Sequence, residues 1–445
     1  MALPIFVLAS GLVSLASARG VTLEQALARV VQNNPRIQQG QARVEEATGQ
    51  RLVFRSLAWP DAGIATLAGA QGGDRAGQSS IQPFAFAQGS LRQPLFDAAL
   101  PASLRRGEIA PLLAAQQLNV TLVEQLHDAR IAFYTALYQR SLDALGRSQR
   151  QRLDANIASE QARYEAGNVD RRTLASATLQ ARELDPVIAG AHRAYGEALL
   201  QLATAMGANL APGASLPDPQ GALEFVPANL PLASETALAL ERRPDIRLAR
   251  LLVRAAREDT RIAAAGYYPQ LDLTVFGRYI PETNIRQASS GSPQRSDDII
   301  SSEIAAGAGY TWRVIDNGRV GGAVLRQRSV REINQLQLQK LEASVPRQLA
   351  ALQNNLRAIA ARHGSLSKAV EVAEKNVAVV ENSWQQGLAS QLEFRTAETG
   401  LLATRRGILQ AAYQEQLTLA EWDRATGRYF QFSDAPATNV HSSKR

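Results

Sequence analysis

Leu271-Asp-Leu-Thr-Val-Phe-Gly-Arg-Tyr279 is the stretch that decides the fold of this chain. Its apolar side chains recur at every second position, which is the period of a β-strand with one apolar face. Residues 305–314, Ala-Ala-Gly-Ala-Gly-Tyr-Thr-Trp-Arg-Val, alternate in the same way and predict the return strand of a hairpin. Residues 64–70 and 84–86 repeat the pattern more weakly, so a second hairpin is predicted earlier in the chain.

The two predicted hairpins have the same kind of connection. Polar, Gly/Ser-rich loops lie between their strands, at residues 72–80 and 281–298. Strands of about ten residues with one apolar face and long polar loops are typical of transmembrane β-hairpins. A soluble sandwich with a half-buried sheet fits the strands equally well, so the strands alone leave both open.

The hairpins belong to a unit of about 200 residues that occurs twice in the chain. In each copy a leucine is followed twelve residues later by a proline and, 25 residues further on, by another. Two glycines 40 residues apart close each copy. The series is Leu23, Pro35, Pro60, Gly167 and Gly207 in the first copy, and Leu232, Pro244, Pro269, Gly387 and Gly427 in the second. The expected divisions are a signal peptide at 1–18, a first repeat at 19–207, a Pro-rich linker at 208–231, a second repeat at 232–427 and a polar tail at 428–445.

Helices flank each hairpin. A helix of about 25 residues, bounded by prolines, is predicted before it. After it, apolar residues recur in steps of three and four over 352–384 and 174–202, a 3.5-residue period that predicts long helices packed knobs-into-holes. The linker is predicted to hold one short strand near 223–225.

Four residues are expected to break or kink these helices locally. They are Pro186, Pro346, Gly146 and Gly364. Gly167 and Gly387 are expected at the turns of the helical hairpins, where their lack of a side chain permits a positive φ.

Composition excludes several classes of protein. Apolar residues make up 45% of the 445, too many for a disordered chain. No cysteine is present, so disulfides, thiol catalysis and a lipid-modified N-terminal cysteine are excluded. The basic residues behind the net charge of +7 are scattered along the chain, and no aromatic residues are interleaved with them to stack on bases. This argues against nucleic acid as a partner. Residues 3–15 and the small residues ending at Ala18 predict an export signal cleaved after Ala18.

Catalytic and cofactor sites find no support in the sequence. The four histidines are dispersed and none has zinc-ligand spacing. His363 lies on an apolar helix face and is predicted to be a packed residue. No phosphate-binding loop ending in Gly-Lys-Ser/Thr occurs, so we expect neither an enzyme nor a cofactor, and a partner must supply any energy for transport.

Four membrane strands cannot close a barrel, because single-chain barrels begin at eight strands and open edges leave backbone groups unpaired in lipid. Three chains would provide twelve strands and a pore. Two chains would close at eight, but side chains normally fill that interior. The chain is therefore expected to be an α+β protein that assembles as a homotrimer in lipid.

The ordered set of motifs resembles the TolC-like outer-membrane efflux family over residues 21–430. The motifs are Asn34-Pro35, Arg243-Pro244, Pro94-Leu95-Phe96-Asp97, Tyr164-x-x-Gly167 and Trp384-x-x-Gly387. The resemblance implies a trimeric channel-tunnel with a twelve-stranded outer-membrane barrel and a periplasmic α-helical barrel. It also implies a periplasmic adaptor protein and an inner-membrane ABC or proton-driven pump as partners, in the outer membrane of a Gram-negative bacterium.

The same resemblance implies a carboxylate ring at the periplasmic entrance. Glu393 matches the family's acid after the tip glycine, and three copies near one axis would attract cations and favour their own protonation. Thr396 replaces a second acid that is frequent in the family. Trp384 holds the position of an aromatic residue, and Thr173 stands where the first copy would carry its acid, so their contact is expected to be altered. A solvated charge on a helix is the alternative role for Glu393.

Two further sets of residues are expected to contact partners. The hairpin turns would present Gly167, Asn168, Val169, Gly387, Leu388 and Ala389 to the adaptor. The aromatic residues Tyr268, Tyr279, Tyr310 and Trp312 would lie at the membrane interface, unless they serve ordinary strand packing.

The predicted function is a passive export conduit, for either type I protein secretion or multidrug efflux. The missing lipidation cysteine favours protein secretion. A periplasmic coiled-coil adaptor or scaffold is the alternative, and a hydrolase anchored in the outer membrane would need a convergent polar site.

Overall fold

The computed structural model describes residues 20–75, 78–208, 215–228, 230–282 and 302–429. The signal peptide expected at 1–18, most of the loop expected at 281–298 and nearly all of the tail expected at 428–445 lie outside the described residues.

The described residues form long helices and four strands. The helices are α1 (Leu23–Asn33), α2 (Pro35–Ser56), α3 (Leu100–Glu165), α4 (Arg171–Glu183), α5 (Asp185–Ala205), α6 (Leu232–Arg242), α7 (Pro244–Ala264), α8 (Arg319–Gln385) and α9 (Gln391–Thr426). The strands are β1 (Asp61–Arg75), β2 (Gln78–Asp97), β3 (Gln270–Glu282) and β4 (Ser302–Thr311). The same order, two helices, a strand pair and a helical hairpin, therefore occurs in both halves of the chain.

Two compact units share the chain, and each takes segments from both halves of the sequence. The helical unit consists of the described residues of Met1–Gly40, Leu118–Pro244 and Glu342–Arg445. The sheet unit consists of those of Gln41–Gln117 and Asp245–Leu341.

The sheet unit contains one antiparallel sheet with the strand order β1-β2-β3-β4. Leu271 pairs with Tyr310 and Leu273 with Ala308, so the alternating apolar residues of the two strands lie on one face, as predicted. The opposite face of these two strands is mixed, with Asp272 opposite Gly309 and Phe276 opposite Ala305. Strands β1 and β4 are the two edges.

The apolar face of the sheet is open. Ile64 on β1 is 86% exposed and Ile304 on β4 is 84% exposed. Every residue of β4 is exposed. An exposed apolar face marks a surface available for interaction.

The strand ends differ from the predicted ones. The prediction of a loop at 72–80 is wrong, because β1 continues to Arg75 and Arg75 pairs with Gln78 on β2. Ladder hydrogen bonds outweigh the low strand preference of the Gly and Ser residues in this stretch. The return strand expected to reach residue 314 ends at Thr311, which pairs with Gln270, the first residue of β3 after Pro269. Pro269 has no N–H to extend the ladder.

The helical unit confirms the 3.5-residue period. Every predicted seam residue of the two helical stretches is buried or half-buried. These residues are Leu352, Leu356, Ile359, His363, Leu366, Val370, Ala373, Val377, Val380 and Trp384 in α8, and Leu174, Ala177, Ala181, Leu184, Ile188, Ala191, Tyr195, Ala198 and Leu202 in α4 and α5. Helix α8 and the α4–α5 stretch therefore each pack through one apolar seam.

One of the four positions expected to break or kink a helix, Pro186, coincides with a helix boundary. Leu184 separates α4 from α5 just before Pro186. Pro346 lies inside α8, where Val345 and Leu349 on either side are fully buried, so packing holds the helix together despite the lost hydrogen bond. Gly146 and Gly364 lie within uninterrupted helices.

Matching contacts close the helical hairpin of each half onto the preceding helix pair. Asn34, between α1 and α2, donates from Nδ2 to Gln125 Oε1 (3.0 Å) and to the carbonyl of Ala205 (2.8 Å). Arg243, between α6 and α7, donates from Nη1 to Gln348 Oε1 (2.9 Å) and to the carbonyl of Ala425 (3.3 Å). Both accepting carbonyls lie two residues before the glycine that ends the hairpin.

Those glycines are required by space as well as by conformation. Gly207 has φ +67° and Gly427 has φ +71°. A Cβ at Gly207 would lie 2.3 Å from the carbonyl oxygen of Asn33, and one at Gly427 would lie 3.2 Å from Arg242. Each hairpin therefore ends in close backbone contact with the junction of the helix pair.

The linker holds no strand at 223–225, so that prediction is wrong. Val226 N–H bonds the carboxylate of Glu415 (2.9 Å) instead of a strand partner. Phe225 stacks on His363 at 3.9 Å, which confirms His363 as a packed residue. The linker does pair elsewhere, in a parallel bridge between Val21 and Pro219.

Candidate functional site

The tips of the two helical hairpins share one turn geometry. Gly167 and Gly387 both have φ +75°, the left-handed conformation expected from the sequence. Backbone bonds close each turn, with Asn168 N–H donating to Arg163 O and Leu388 N–H donating to Ser383 O, both at 2.8 Å. Both helices thus end in the same glycine turn.

The side chains after each tip glycine differ in exposure. Leu388 is 79% exposed, and Asn168 is also exposed. Val169 and Ala389 are half-buried. An apolar side chain this exposed at a turn is available to a partner.

An acid caps the helix after each tip, in a different position in each half. Asp170 is the N-cap of α4 and accepts from Thr173 N–H (2.9 Å) and Oγ1 (2.7 Å). Ser390 is the N-cap of α9, and Glu393 accepts from Ser390 N–H (2.7 Å) in a capping box. Thr173 therefore contacts an acid, Asp170, three residues earlier. Comparing position 173 only with position 393 missed this acid.

Glu393 is exposed. The backbone and hydroxyl of Ser390 donate to its carboxylate and hold the pKa of Glu393 below its ordinary value. Within one chain, the pKa of Glu393 therefore shifts downward. The rise in protonation expected from three neighbouring copies has the opposite sign. Thr396, three residues further on, is exposed and donates to the carbonyl of Leu392, so it adds no charge.

Trp384 lies in a buried cluster directly before its tip. It is 7% exposed and stacks on Phe394 with ring centroids 5.1 Å apart. The guanidinium of Arg163 lies 4.3 Å from the Trp384 ring, and Arg163 donates to the carbonyl of Gln385 (3.3 Å). Trp384 therefore contacts α3 through Arg163 and α9 through Phe394. That its contact with position 173 is altered stays a prediction.

Two buried carboxylates lie close to this cluster. Glu160 is fully buried, with Arg163 3.7 Å away, and burial raises its pKa. Glu398 is 1% exposed and pairs with Arg152 at 2.5 Å, while the Gln149 amide also donates to it. The Glu160–Arg163 pair lies within α3 near the tip, and the Glu398–Arg152 pair joins α9 to α3.

Sequence reasoning missed both carboxylates, although a signal was present. Glu160 follows Leu153 and Asn156 at seam spacing, and Glu398 follows Phe394 by four residues. A charge at a seam position predicts a buried ion pair rather than a solvated one.

The predicted membrane-interface aromatic residues are all at least half exposed. They are Tyr268 (59%), Tyr279 (56%), Tyr310 (63%) and Trp312 (50%). Trp312 Nε1 donates to the carbonyl of Tyr267 at 3.2 Å. Tyr279 and Tyr310 lie on the apolar face of the sheet, by their register with β4 and β3.

No group of three or more His, Cys, Asp or Glu side chains in the described ranges is arranged to hold a metal ion. None of the described helices combines the length and the apolarity that a membrane span requires.

Comparison with known proteins relates the chain to outer-membrane channels. Residues 236–428 match the sequence model of a family described as outer membrane efflux protein. No curated protein matches the chain in sequence.

Solved structures share the fold over almost the whole chain. The outer membrane protein VceC of Vibrio cholerae is 18% identical, with a TM-score of 0.75 over 91% of this chain and 96% of VceC. The CmeC outer membrane channel of Campylobacter jejuni is 13% identical, with a TM-score of 0.78 over 94% of this chain and 88% of CmeC. The open state of the MtrE outer membrane channel of Neisseria gonorrhoeae is 18% identical, with a TM-score of 0.70 over 91% of this chain and 88% of MtrE. The predicted α+β fold class is confirmed, and so is the family resemblance.

Proposed function

We propose that this member of the outer membrane efflux protein family is the outer-membrane channel of a tripartite export system. Three copies form a passive conduit that extends from the outer membrane into the periplasm. A periplasmic adaptor docks on the conduit, and an inner-membrane transporter supplies the energy. The chain itself performs no catalysis.

The four-stranded sheet is the observation that carries this proposal. Its apolar face is exposed, as Ile64 and Ile304 show, and its edges β1 and β4 are unpaired within the sheet. Strand β4 runs antiparallel to β1, so the β4 edge of one copy can pair with the β1 edge of the next. Three copies supply twelve strands and leave no edge in lipid.

The helical hairpins support the periplasmic part of the proposal. Each half supplies two long helices with a continuous apolar seam, and the tips carry exposed residues, above all Leu388. A periplasmic adaptor or scaffold would have no use for an apolar sheet face, so this alternative is not favoured. The family description favours efflux as the transport mode.

Localisation and conduction test the proposal together. The mature protein should fractionate with the outer membrane, migrate as a trimer in mild detergent and give long-lived conductance steps in planar bilayers. A monomer that stays in solution without detergent would contradict the proposal.

The docking role of the tips needs a separate test. Leu388→Asp places a charge on the exposed tip, and we expect it to abolish export in cells while trimers still form. Val372→Asp is the matched control, because Val372 is 67% exposed on α8 but lies fifteen residues from the tip glycine. Export retained by the Leu388 variant would exclude a docking role for this tip.

A further inference from the structure

A cavity of about 540 Å³ lies in the helical unit between α3, α5, α8 and α9. We call it the arginine pocket. Its wall includes Tyr138, Ile188, Arg362, Leu366, Arg406 and Gly407. The volume falls within the range of small-molecule sites, which are mostly apolar with a few polar groups.

Two glycines in the wall of this pocket let the helices of each hairpin pack closely. A Cβ at Gly146 of α3 would lie 3.0 Å from Ile188 on α5, and a Cβ at Gly407 of α9 would lie 3.2 Å from Leu366 on α8. In each hairpin, therefore, a large side chain packs over a glycine of the other helix. Both glycines are on α3 and α9, which are held together by Tyr138 and Tyr413, stacked at 4.4 Å.

The four segments meet at one level because their spacing from the tips matches. Gly146 and Leu366 each lie 21 residues before their tip glycine. Ile188 and Gly407 lie 21 and 20 residues after it. At 1.5 Å per residue the pocket lies about 30 Å from the tips, away from the proposed docking residues.

The pocket is cationic. No residue of its wall is acidic. Arg362 donates to Gln410 Oε1 at 3.3 Å, and neither Arg362 nor Arg406 has an ion-pair partner among the described residues. The neighbouring Arg405, in contrast, pairs with Glu374 at 2.6 Å. Two uncompensated guanidinium groups thus adjoin an apolar wall.

We propose that the arginine pocket binds amphiphilic anions, namely alkyl or aryl sulfonates and carboxylates. The headgroup accepts charge-assisted hydrogen bonds from Arg362 and Arg406. The apolar part packs against Ile188 and Leu366. This site is in the helical wall, and its occupancy does not depend on whether the trimer conducts.

Isothermal titration calorimetry of the purified trimer in a non-ionic detergent tests the proposal. The probe is 1-octanesulfonate below its micelle concentration, with empty micelles subtracted. Methanesulfonate, which lacks the chain, and 1-octanol, which lacks the charge, are the ligand controls. We expect one octanesulfonate per chain, with binding that weakens as salt is added and exceeds that of both controls.

Three variants assign the binding to the pocket. The double variant Arg362→Gln/Arg406→Gln should weaken binding at least tenfold, since each charged hydrogen bond contributes more than a factor of ten. Ala403→Trp, at an exposed wall position, should fill the pocket and abolish binding. Arg193→Gln, whose side chain is 80% exposed outside the pocket, should leave affinity unchanged.

Circular dichroism and trimer migration show whether each variant is folded, and a variant that fails either check is replaced by Arg406→Gln alone. Equal affinity in all variants, or octanol binding as tight as octanesulfonate, would overturn the proposal. Loss of adaptor binding in the arginine variants, with no octanesulfonate bound to the wild type, would overturn it too and assign the surface to a protein contact.

Discussion

The ion pair of Arg152 with Glu398 provides the sharpest test of how α3 is held to α9 near the tips. Glu398 is 1% exposed, and its carboxylate lies 2.5 Å from the Arg152 guanidinium. Arg152→Met keeps the apolar stem of the side chain and removes the cation. The variant leaves a buried carboxylate with the Gln149 amide but without its counter-charge.

The cost follows from the burial of the two partners. Breaking a fully buried ion pair costs about 3–5 kcal/mol. The side chain of Arg152 is 40% exposed, so solvent screens part of the interaction, and we expect about 2 kcal/mol. That free energy corresponds to about a 30-fold change in an opening equilibrium.

Hydrogen exchange followed by mass spectrometry measures this opening directly. Peptides covering residues 391–402 should exchange about 30-fold faster in the Arg152→Met variant. Glu398→Gln in the same background should restore much of the protection, because it removes the buried charge. Arg150→Met is the control, since Arg150 pairs with the more exposed Asp154 and Asp185 and should change exchange by less than about fivefold.

Equal exchange in the Arg152 and Arg150 variants would refute the reasoning. It would mean that the apolar seam alone holds α9 against α3. Faster exchange that Glu398→Gln fails to rescue would mean that lost packing, and not the unpaired charge, is responsible.

Three more predictions concern the tips. Glu393→Gln keeps a capping-box side chain but removes the charge, so block of conductance by divalent cations should weaken in planar bilayers; undiminished block would remove Glu393 from the ion path. Gly387→Ala should destabilise by about 1 kcal/mol because φ is +75°, whereas Gly364→Ala inside α8 should stabilise by about 0.5–1 kcal/mol; thermal unfolding compares the two, and shifts of the same sign would contradict the assignment. Burial raises the pKa of Glu160 above its ordinary value of 4.5. The folded chain therefore loses stability as the pH rises above 4.5, because the unfolded chain ionises more easily. Glu160→Gln should therefore raise the melting temperature more at pH 8 than at pH 4, and an equal rise at both would show that its burial does not shift its titration.

Periodic features were the ones that the sequence could predict. The alternation from Leu271 to Tyr279 predicted one apolar face, and the seam from Leu352 to Trp384 predicted the buried side of α8. Both follow from which positions of a regular element can share a face. The positive φ of Gly387 was predictable for a related reason, since few other residues take that conformation.

Features that depend on particular partners were beyond this reasoning. Residues 72–75 pair with residues 78–81 although the Gly and Ser in this stretch indicate a loop. Strand pairing depends on two segments together, so the composition of one segment does not predict it. The capping position of Asp170 was missed because residues were compared only at matched positions of the two halves. The junctions at Asn34 and Arg243 make equivalent contacts with different side chains. The sequence spacing showed only that a proline follows each of them.

The charges near the tips show the same limit. Glu398 and Glu393 are five residues apart, and the sequence shows two acids on one helix. Which of them is buried depends on where the seam of α9 meets Arg152. The structure places Glu398 inside and Glu393 outside. An ion-binding role for Glu393 stays a prediction.

Cross-linking of the strand edges tests the central claim most directly. The chain has no cysteine, so every disulfide must come from introduced residues. Ile64→Cys on β1 is combined in turn with cysteine at each position of β4 on the apolar face: Ser302, Ile304, Ala306, Ala308 and Tyr310. On oxidation in outer membranes, one register should join chains into dimers and trimers and stop at three. Absence of any linked product, or a ladder that continues beyond three chains, would contradict closure of the sheet by three identical copies.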